Sequence, residues 1–173
     1  MAKSKAKILV VDDNNGIRTA LQFLLPMHFA QVELIPSPKE LVTRLVEFRP
    51  DVVLLDMNFH TDINTGNEGL FWLSEIKKRS NDVEVVLFTA YADIQLAVEG
   101  MKRGAFDFIV KPWDNEKLIE ILKAAYANRS KEAREASAVP ASSIKMLWGK
   151  GPQMTSIYKT VEKISMTDAS VLI

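Results

Sequence analysis

Five short apolar runs, each followed by an amphipathic stretch, fill the first 125 residues of this 173-residue chain. The runs cover residues 8–11, 32–35, 52–55, 85–88 and 106–110. Between them, apolar residues recur at the three- and four-residue spacing of a helix, as they do at Ile94, Ala97, Val98 and Met101. Short apolar strands that alternate with helices are typical of a parallel sheet flanked by helices. The pattern therefore predicts an α/β fold.

The polarity of the runs predicts the order of the strands. A strand that is covered on both faces is continuously apolar, whereas an edge strand tolerates polar residues. Runs one, three and four are continuous, while Gln31 and Glu33 accompany run two and Asp107 lies in run five. With right-handed crossovers, this predicts a flavodoxin-like, doubly wound, five-stranded parallel sheet of order 2-1-3-4-5, with helices on both faces.

Capping residues mark two helix starts. Ser37 precedes Pro38, which suits the first position of a helix, and Glu40 lies three residues after Ser37, so the second helix should begin here. Asp114 is a suitable cap for the fifth helix, and its apolar stripe consists of Leu118, Ile121, Leu122 and Ala125. We expect this helix to extend toward Ala136.

The composition excludes several kinds of chemistry. The chain has no cysteine, and its two histidines, His28 and His60, are too few for the usual zinc site.

Acidic and basic residues both number 22, so there is no net charge to attract nucleic acid or a membrane surface. No apolar run approaches the roughly 20 residues that span a bilayer. We expect a cytoplasmic protein without membrane contact, and no direct contact between this chain and nucleic acid.

Polar residues follow four of the five runs. Asp12 and Asp13 come after run one, Asp56 after run three, Thr89 after run four and Lys111 after run five. Because the carboxyl ends of parallel strands meet at one edge of a sheet, we expect these side chains in one cleft. Each alone is more often a cap or a solvated residue. Together, three carboxylates favour a divalent cation such as Mg²⁺, and a lysine and a threonine suit phosphoryl oxygens.

Four segments around these residues resemble the receiver domains of bacterial two-component response regulators. They are residues 8–13 (ILVVDD), 53–56 (VLLD), 87–90 (LFTA) and 104–112 (GAFDFIVKP). The resemblance covers roughly residues 5–127. It implies that Asp56 accepts a phosphoryl group from the phosphohistidine of a sensor histidine kinase. It also implies a regulatory phosphoacceptor, rather than an enzyme, that catalyses its own phosphorylation and dephosphorylation.

The same resemblance implies a Mg²⁺ site at the acceptor. Asp12 and Asp13 would hold the ion together with Asp56 and the backbone carbonyl of Asn58, and Lys111 would pair with the phosphoryl oxygens. A carboxylate is a nucleophile at pH 7 without prior deprotonation, so such an acceptor needs only an aligned donor and neutralised phosphoryl charge.

The resemblance further implies a conformational switch. Thr89 would hydrogen-bond the attached phosphoryl group, and Phe108 would be the aromatic residue that turns inward when Thr89 moves. Ala90 and Tyr91 would line the phosphoryl pocket, and Tyr91, like Asn58, occupies a position that tunes phosphoryl lifetime in this family. The Lys111–Pro112 peptide bond would be cis.

The segment after Asp56 departs from the family pattern. Family members have Met-Pro shortly after the acceptor and a glycine about eight residues on, whereas Met57 and Asn58 follow Asp56 here. If Gly69 is the usual glycine, the loop is about five residues longer. His60 and Asp62 are expected to be ordinary exposed loop residues. The conformation of the loop at residues 57–68 is not predicted.

The chain after the receiver suggests a larger regulator. Residues 128–145 read as a helical extension and a linker, and residues 146–173 resemble the opening of the ATPase domain of sigma-54-dependent, nitrogen-regulation-type activators. No phosphate-binding Gly-x-x-x-x-Gly-Lys-Ser/Thr is present, so we expect no ATPase activity from this chain. We expect a fragment of a transcriptional activator whose full length would engage sigma-54 RNA polymerase and DNA.

Two further hypotheses concern partners and alternatives. Ile119 and Tyr126 widen the apolar stripe of the fifth helix, so a homodimer through the face of helix 4, strand 5 and helix 5 is expected. A degenerate receiver that acts as a phosphorylation-independent binding module stays open as the alternative function. A phosphatase of the haloacid dehalogenase type needs an aspartate two residues after its nucleophile, and Asn14 and Asn58 occupy those positions.

Overall fold

Five parallel strands form the sheet at the centre of the molecule. The computed structural model describes residues 2–59 and 67–138. Its strands are β1 (Ser4–Val11), β2 (Phe29–Ile35), β3 (Val52–Asp56), β4 (Glu84–Ala90) and β5 (Asp107–Lys111). Their order is β2-β1-β3-β4-β5, and all neighbouring pairs are parallel. The predicted α/β class and strand order are both confirmed.

Polarity identified both edge strands, but for β5 the physical reason differs from the one assumed. In β2, Gln31 is exposed and Glu33 is half-buried, as expected at an edge. Asp107 in β5 is instead fully buried. Since the side chains of β5 alternate between the faces of the sheet, Asp107 shares a face with Ile109, which packs in the cluster that contains the apolar residues of the fifth helix. The aspartate therefore marks a covered position rather than a solvated one.

Helices cover both faces of the sheet. They are α1 (Asn15–Leu24), α2 (Leu41–Glu47), α3 (Glu68–Arg79), α4 (Ile94–Lys102) and α5 (Asn115–Ala138). Residues of β1, β3 and β4 alternate between two apolar clusters, one shared with α2, α3 and α4 and the other with α1 and α5. This alternation explains why the central strands are apolar without interruption.

The two predicted helix starts have the expected caps. The Ser37 side chain accepts a hydrogen bond from the Lys39 N–H at 3.2 Å, but the first turn, Pro38–Glu40, is a 3₁₀ turn, and α2 proper begins at Leu41. Asp114 Oδ1 accepts from the Lys117 N–H at 2.9 Å at the start of α5. Helix α5 ends at Ala138, two residues beyond the predicted point.

Polar contacts fix the second half of α5 to the residues at the amino ends of β3 and β4. The Arg129 guanidinium donates to the carboxylate of Asp51, to Asp82 Oδ2 at 2.8 Å and to the Asp82 carbonyl at 3.1 Å. Next to it, the Asn128 side chain donates to Glu84 Oε1 at 2.8 Å. Burial raises the pKa of Glu84, while Lys77 and Asn128 oppose that rise. This polar cluster lies at the opposite end of the sheet from the strand ends that carry the candidate site.

Within the described residues, no helix is both long and apolar enough to cross a membrane. Residues 60–66 and 139–173 lie outside the described residues. The expectations for His60, for Asp62, for most of the segment 57–68, for the end of the linker and for the ATPase-domain segment fall there.

Candidate functional site

Three carboxylates converge at the carboxyl ends of β1 and β3. Asp12 and Asp13 directly follow β1, and Asp56 is the last residue of β3. The two strands are neighbours with Val11 beside Leu55, so the three acids meet, and one oxygen from each lies within 4.8 Å of the others. Asp12 and Asp56 are 0% and 3% exposed. An all-oxygen donor set of this kind fits a hard divalent cation such as Mg²⁺.

Lys111 bridges two of these acids. It is the last residue of β5, and its Nζ lies 2.9 Å from Asp12 Oδ2 and 3.0 Å from Asp56 Oδ1. The ammonium also lies 4.6 Å from the centroid of the Phe88 ring. The β5 lysine thus reaches across β4 to the acids, and its positive charge offsets part of their repulsion. The Lys111–Pro112 peptide bond is cis, as the resemblance implied.

Burial dominates the electrostatics of Asp56. Desolvation raises the pKa of Asp56 to about 6, and the negative charge of Asp12 contributes to the rise. The Lys111 ammonium and the Asn58 N–H, which donates to Asp56 Oδ1 at 3.2 Å, lower it. Because about 6 is still below neutral pH, Asp56 is mainly a carboxylate at pH 7. The side chain combines a dry environment with the ionised form that a nucleophile requires.

Three more of the predicted residues lie on β4 and β5, and Tyr91 directly follows β4. Thr89 is fully buried, and its hydroxyl donates to the Ala90 carbonyl at the long distance of 3.3 Å. Ala90 pairs with Lys111 in the β4–β5 register, so both lie beside the acid cluster. Tyr91 is 78% exposed, whereas Phe108 is 6% exposed and packs in the cluster shared with α3 and α4.

Gly69 lies where α3 passes the end of β3. A Cβ at this position would lie 2.7 Å from Met57 Cα and 2.9 Å from the Met57 carbonyl oxygen, which is closer than real contacts allow. Met57 directly follows Asp56, and its N–H donates to the Phe88 carbonyl at 3.0 Å. Only glycine therefore permits this approach of α3 to the residue that follows Asp56.

One residue of this region was missed by sequence reasoning. The Asn58 side-chain amide donates to the carboxylate of Asp93, which immediately precedes α4. The pair is 35 residues apart in sequence. No motif or spacing marks Asp93, because its importance comes from a tertiary contact between the segments that follow β3 and β4.

A family model described as the response regulator receiver domain matches residues 8–123. The chain belongs to this receiver family. Relatives include the regulatory protein AtoC of Escherichia coli K12, which is 30% identical over 96% of this chain and 36% of its own length. The transcriptional regulatory protein ZraR of the same organism is 33% identical over 100% of this chain and 38% of its own. The chain thus spans about a third of the length of these curated relatives.

Solved structures give the same result for the receiver. The N-terminal signal receiver domain of a two-component system response regulator from Bacteroides fragilis is 58% identical, with a TM-score of 0.65 over 71% of this chain and 98% of its own. NtrX from Brucella abortus is 28% identical, with a TM-score of 0.69 over 95% of this chain and 35% of its own. The predicted family and receiver fold are confirmed, and the chain carries the receiver of a two-component response regulator.

Proposed function

We propose that this receiver is a phosphorylation-controlled switch in which Asp56 accepts a phosphoryl group from the phosphohistidine of a sensor histidine kinase. An Asp56 carboxylate oxygen forms the new bond to phosphorus, and the bond from phosphorus to the histidine nitrogen breaks. The other ring nitrogen of the phosphohistidine carries a proton, so the electron pair returns to the ring and the leaving group is the neutral imidazole. The observation that carries the proposal is the buried, mainly ionised Asp56 carboxylate with the Lys111 ammonium 3.0 Å away.

The chain's own residues supply most of what this transfer needs. Asp56 requires no general base, because its carboxylate is already ionised at neutral pH. Lys111 bridges Asp12 and Asp56. Its ammonium is therefore close enough to form an ion pair with an oxygen of a phosphoryl group attached to Asp56. Burial strengthens this electrostatic interaction relative to the same interaction in water.

Mg²⁺ is the cofactor that the acid cluster fits. Asp12, Asp13 and Asp56 would hold it, and the backbone carbonyl of Asn58 would be the fourth protein ligand. When bound, the ion neutralises negative charge on the phosphoryl oxygens. The protein's part is to keep the three acids within 4.8 Å of one another, which Lys111 assists by reducing their mutual repulsion.

The proposed switch starts from the Thr89 hydroxyl. Its hydrogen bond to the Ala90 carbonyl is 3.3 Å long, so a dianionic phosphoryl group on Asp56 would be a better acceptor. Ala90 and Tyr91 would line the pocket for that group, and Tyr91 and Asn58 would tune its lifetime. Phe108 already has an inward position, at 6% exposed, so movement of Thr89 toward the phosphoryl group would stabilise that position. This would fix one arrangement of the face formed by α4, β5 and α5, through which we propose homodimerisation.

The proposal extends to the regulator as a whole. Residues 5–127 would be the receiver, residues 128–145 a helical extension and linker, and residues 146–173 the start of a sigma-54 activator ATPase domain without its phosphate-binding loop. The full-length cytoplasmic protein would act on sigma-54 RNA polymerase and DNA. The receiver would also catalyse its own phosphorylation and dephosphorylation. The alternative, a degenerate receiver, predicts an incomplete site, whereas this chain has all three acids with Thr89 and Lys111.

The test is intact-protein mass spectrometry after incubation with acetyl phosphate, with and without Mg²⁺. We expect one added phosphoryl group on the wild type, dependent on Mg²⁺, and none on Asp56→Asn. The variant Glu116→Gln, which removes an exposed carboxylate from α5, is the matched control and should behave as the wild type. Normal phosphoryl uptake by Asp56→Asn would place the acceptor elsewhere.

Rapid hydrolysis of the phosphoryl group is separated from lack of uptake by a second measurement. Beryllium fluoride forms a stable mimic of an aspartyl phosphate, so we expect it to change the wild-type NMR spectrum and not that of Asp56→Asn. A wild type that responds neither to acetyl phosphate nor to beryllium fluoride would favour the binding-module alternative.

A further inference from the structure

Asp93 directly precedes α4 but does not cap it. Aspartate at this position commonly accepts hydrogen bonds from the first backbone N–H groups of a helix. Here the Asp93 side chain makes no capping hydrogen bond, and its carboxylate accepts instead from the side-chain amide of Asn58. The carboxylate is therefore used for a tertiary contact with the segment that follows the acceptor strand.

Asn58 is held from two sides. Its backbone N–H donates to Asp56 Oδ1 at 3.2 Å, and its side chain donates to Asp93. The first contact fixes the peptide on the side of the acceptor carboxylate, and the second fixes the side chain on the side of α4. The N–H lies on one side of the Asn58 Cα and the side chain on another, so together the two contacts restrict φ of Asn58 and thereby place its carbonyl carbon.

We propose that Asp93 is a positioning residue of the acceptor site, which acts through Asn58 to orient the Asn58 carbonyl toward the cation. This inference rests on the proposed function, in which that carbonyl is a Mg²⁺ ligand. A residue that hydrogen-bonds a metal ligand fixes the ligand's orientation, and its loss costs about 10- to 100-fold in metal affinity. Asp93 reaches the carbonyl through a side chain and a backbone, so we expect about tenfold, at the lower end.

The negative charge of Asp93 could also strengthen Mg²⁺ binding by simple electrostatic attraction, without any contact with Asn58. A carboxylate near a cation site attracts the cation whether or not it touches a ligand, and this attraction depends on charge and not on hydrogen bonding. Asp93→Asn removes the charge but keeps a carbonyl oxygen that can accept from Asn58. Asp93→Ala removes both. The two variants therefore separate positioning from attraction.

The experiment is a Mg²⁺ titration of the unphosphorylated protein followed by backbone amide shifts in NMR, which needs no phosphoryl transfer. We expect Asp93→Ala to bind Mg²⁺ about tenfold more weakly and Asp93→Asn to retain most of the wild-type affinity. Glu99→Gln removes an acidic charge from α4, where Glu99 pairs with Arg103 at 3.1 Å, and should leave the affinity unchanged. Thermal unfolding of each variant without Mg²⁺ checks that the fold is retained.

A double-mutant cycle tests whether Asp93 acts through Asn58. Asn58→Ala keeps the peptide carbonyl but removes the side chain that Asp93 holds, so it should weaken Mg²⁺ binding about as much as Asp93→Ala. If the two residues act as one unit, Asp93→Ala should have no further effect in the Asn58→Ala background. Additive losses, or equal losses in Asp93→Ala and Asp93→Asn, would overturn the proposal in favour of charge.

The outcomes distinguish this inference from the function on which it rests. If the wild type shows no Mg²⁺-dependent amide shifts at the acid cluster, both the proposed function and this inference are contradicted. A wild type that binds Mg²⁺ and is phosphorylated on Asp56, with Asp93→Ala indistinguishable from it, would overturn the role of Asp93 alone.

Discussion

Asp107 supports a prediction about stability that is separate from the candidate site. The residue is 0% exposed; its Oδ1 accepts from the Phe108 N–H at 2.7 Å, and its Oδ2 has no hydrogen-bond partner among residues 2–59 and 67–138. Desolvation raises the pKa of Asp107 from its ordinary value of 3.8 to about 6, against smaller opposite effects of the Phe108 N–H and the charge of Lys117. The folded protein therefore disfavours the ionised form.

The sign of the pH dependence follows from this rise in pKa. An acid with a higher pKa in the folded state than in the unfolded state contributes stability that is complete below the unfolded pKa and is lost as pH rises through the folded pKa. The interval from 3.8 to about 6, at about 1.36 kcal/mol for each pH unit, corresponds to about 3 kcal/mol. Of this, about 2 kcal/mol is lost between about pH 4.5 and about pH 7.5.

The perturbation is Asp107→Asn, which removes the charge and keeps a carbonyl oxygen for the Phe108 N–H. We expect the free energy of unfolding of the variant, relative to the wild type, to increase by about 2 kcal/mol from about pH 4.5 to about pH 7.5. Urea unfolding followed by far-UV circular dichroism in the presence of EDTA measures it. With a slope of about 2 kcal/mol per molar urea, the midpoint of the variant should rise by about 1 M relative to that of the wild type over this pH interval.

The pH dependence of this difference, and not its value at one pH, is the decisive quantity. The new amide group of Asn has its own cost of burial, which lowers the variant's stability equally at every pH. Glu116→Gln controls for the change in net charge at an exposed position of α5. A difference between wild type and Asp107→Asn that is constant across this pH interval would refute the reasoning.

Two further predictions concern packing and anchoring. Gly69→Ala should destabilise the fold by about 1–3 kcal/mol, because its Cβ would lie 2.7 Å from Met57 Cα, and an unchanged thermal midpoint would contradict this close approach. Arg129→Ala should cost about 1–3 kcal/mol at low salt and less at high salt, because it leaves Asp51 and Asp82 without their guanidinium partner. Arg129→Lys should recover only part of this loss in urea unfolding, since one ammonium lacks the guanidinium fork, and full recovery would contradict the geometry.

The sequence was sufficient for the sheet because hydrophobic periodicity and strand-end residues are local signals. Continuous apolar runs identified β1, β3 and β4, and Asp12, Asp56 and Lys111 each directly follow or end a strand. Once the strands are parallel, their carboxyl ends must meet, so the cluster follows from the topology without any knowledge of distant contacts. The 3₁₀ turn before α2 was missed because a capping residue does not distinguish a 3₁₀ first turn from an α-helical one.

Contacts between residues distant in sequence could not be predicted in the same way. Asn58 and Asp93 are 35 residues apart, and Arg129 and Asp51 are 78 apart. In both pairs a polar side chain on one segment meets a polar side chain on another, and nothing in the sequence distinguishes these residues from others of the same types. The burial of Asp107 could not be predicted for the same reason. The sequence shows that the residue is polar, but not whether α5 covers it.

Helix α5 runs from the carboxyl ends of the strands to their amino ends. Its first residue, Asn115, lies four residues after Lys111, and Arg129 is fixed to Asp51 and Asp82 about 21 Å further along the helix axis. Between these points Leu118, Leu122 and Ala125 are fully buried against the sheet. A helix that is held at both ends and packed along its length cannot slide without breaking ion pairs. A displacement of the β5 end that is carried into α5 therefore either moves α5 as a unit or breaks the contacts of Arg129, and the salt dependence of the Arg129 variants measures how firmly the far end is held.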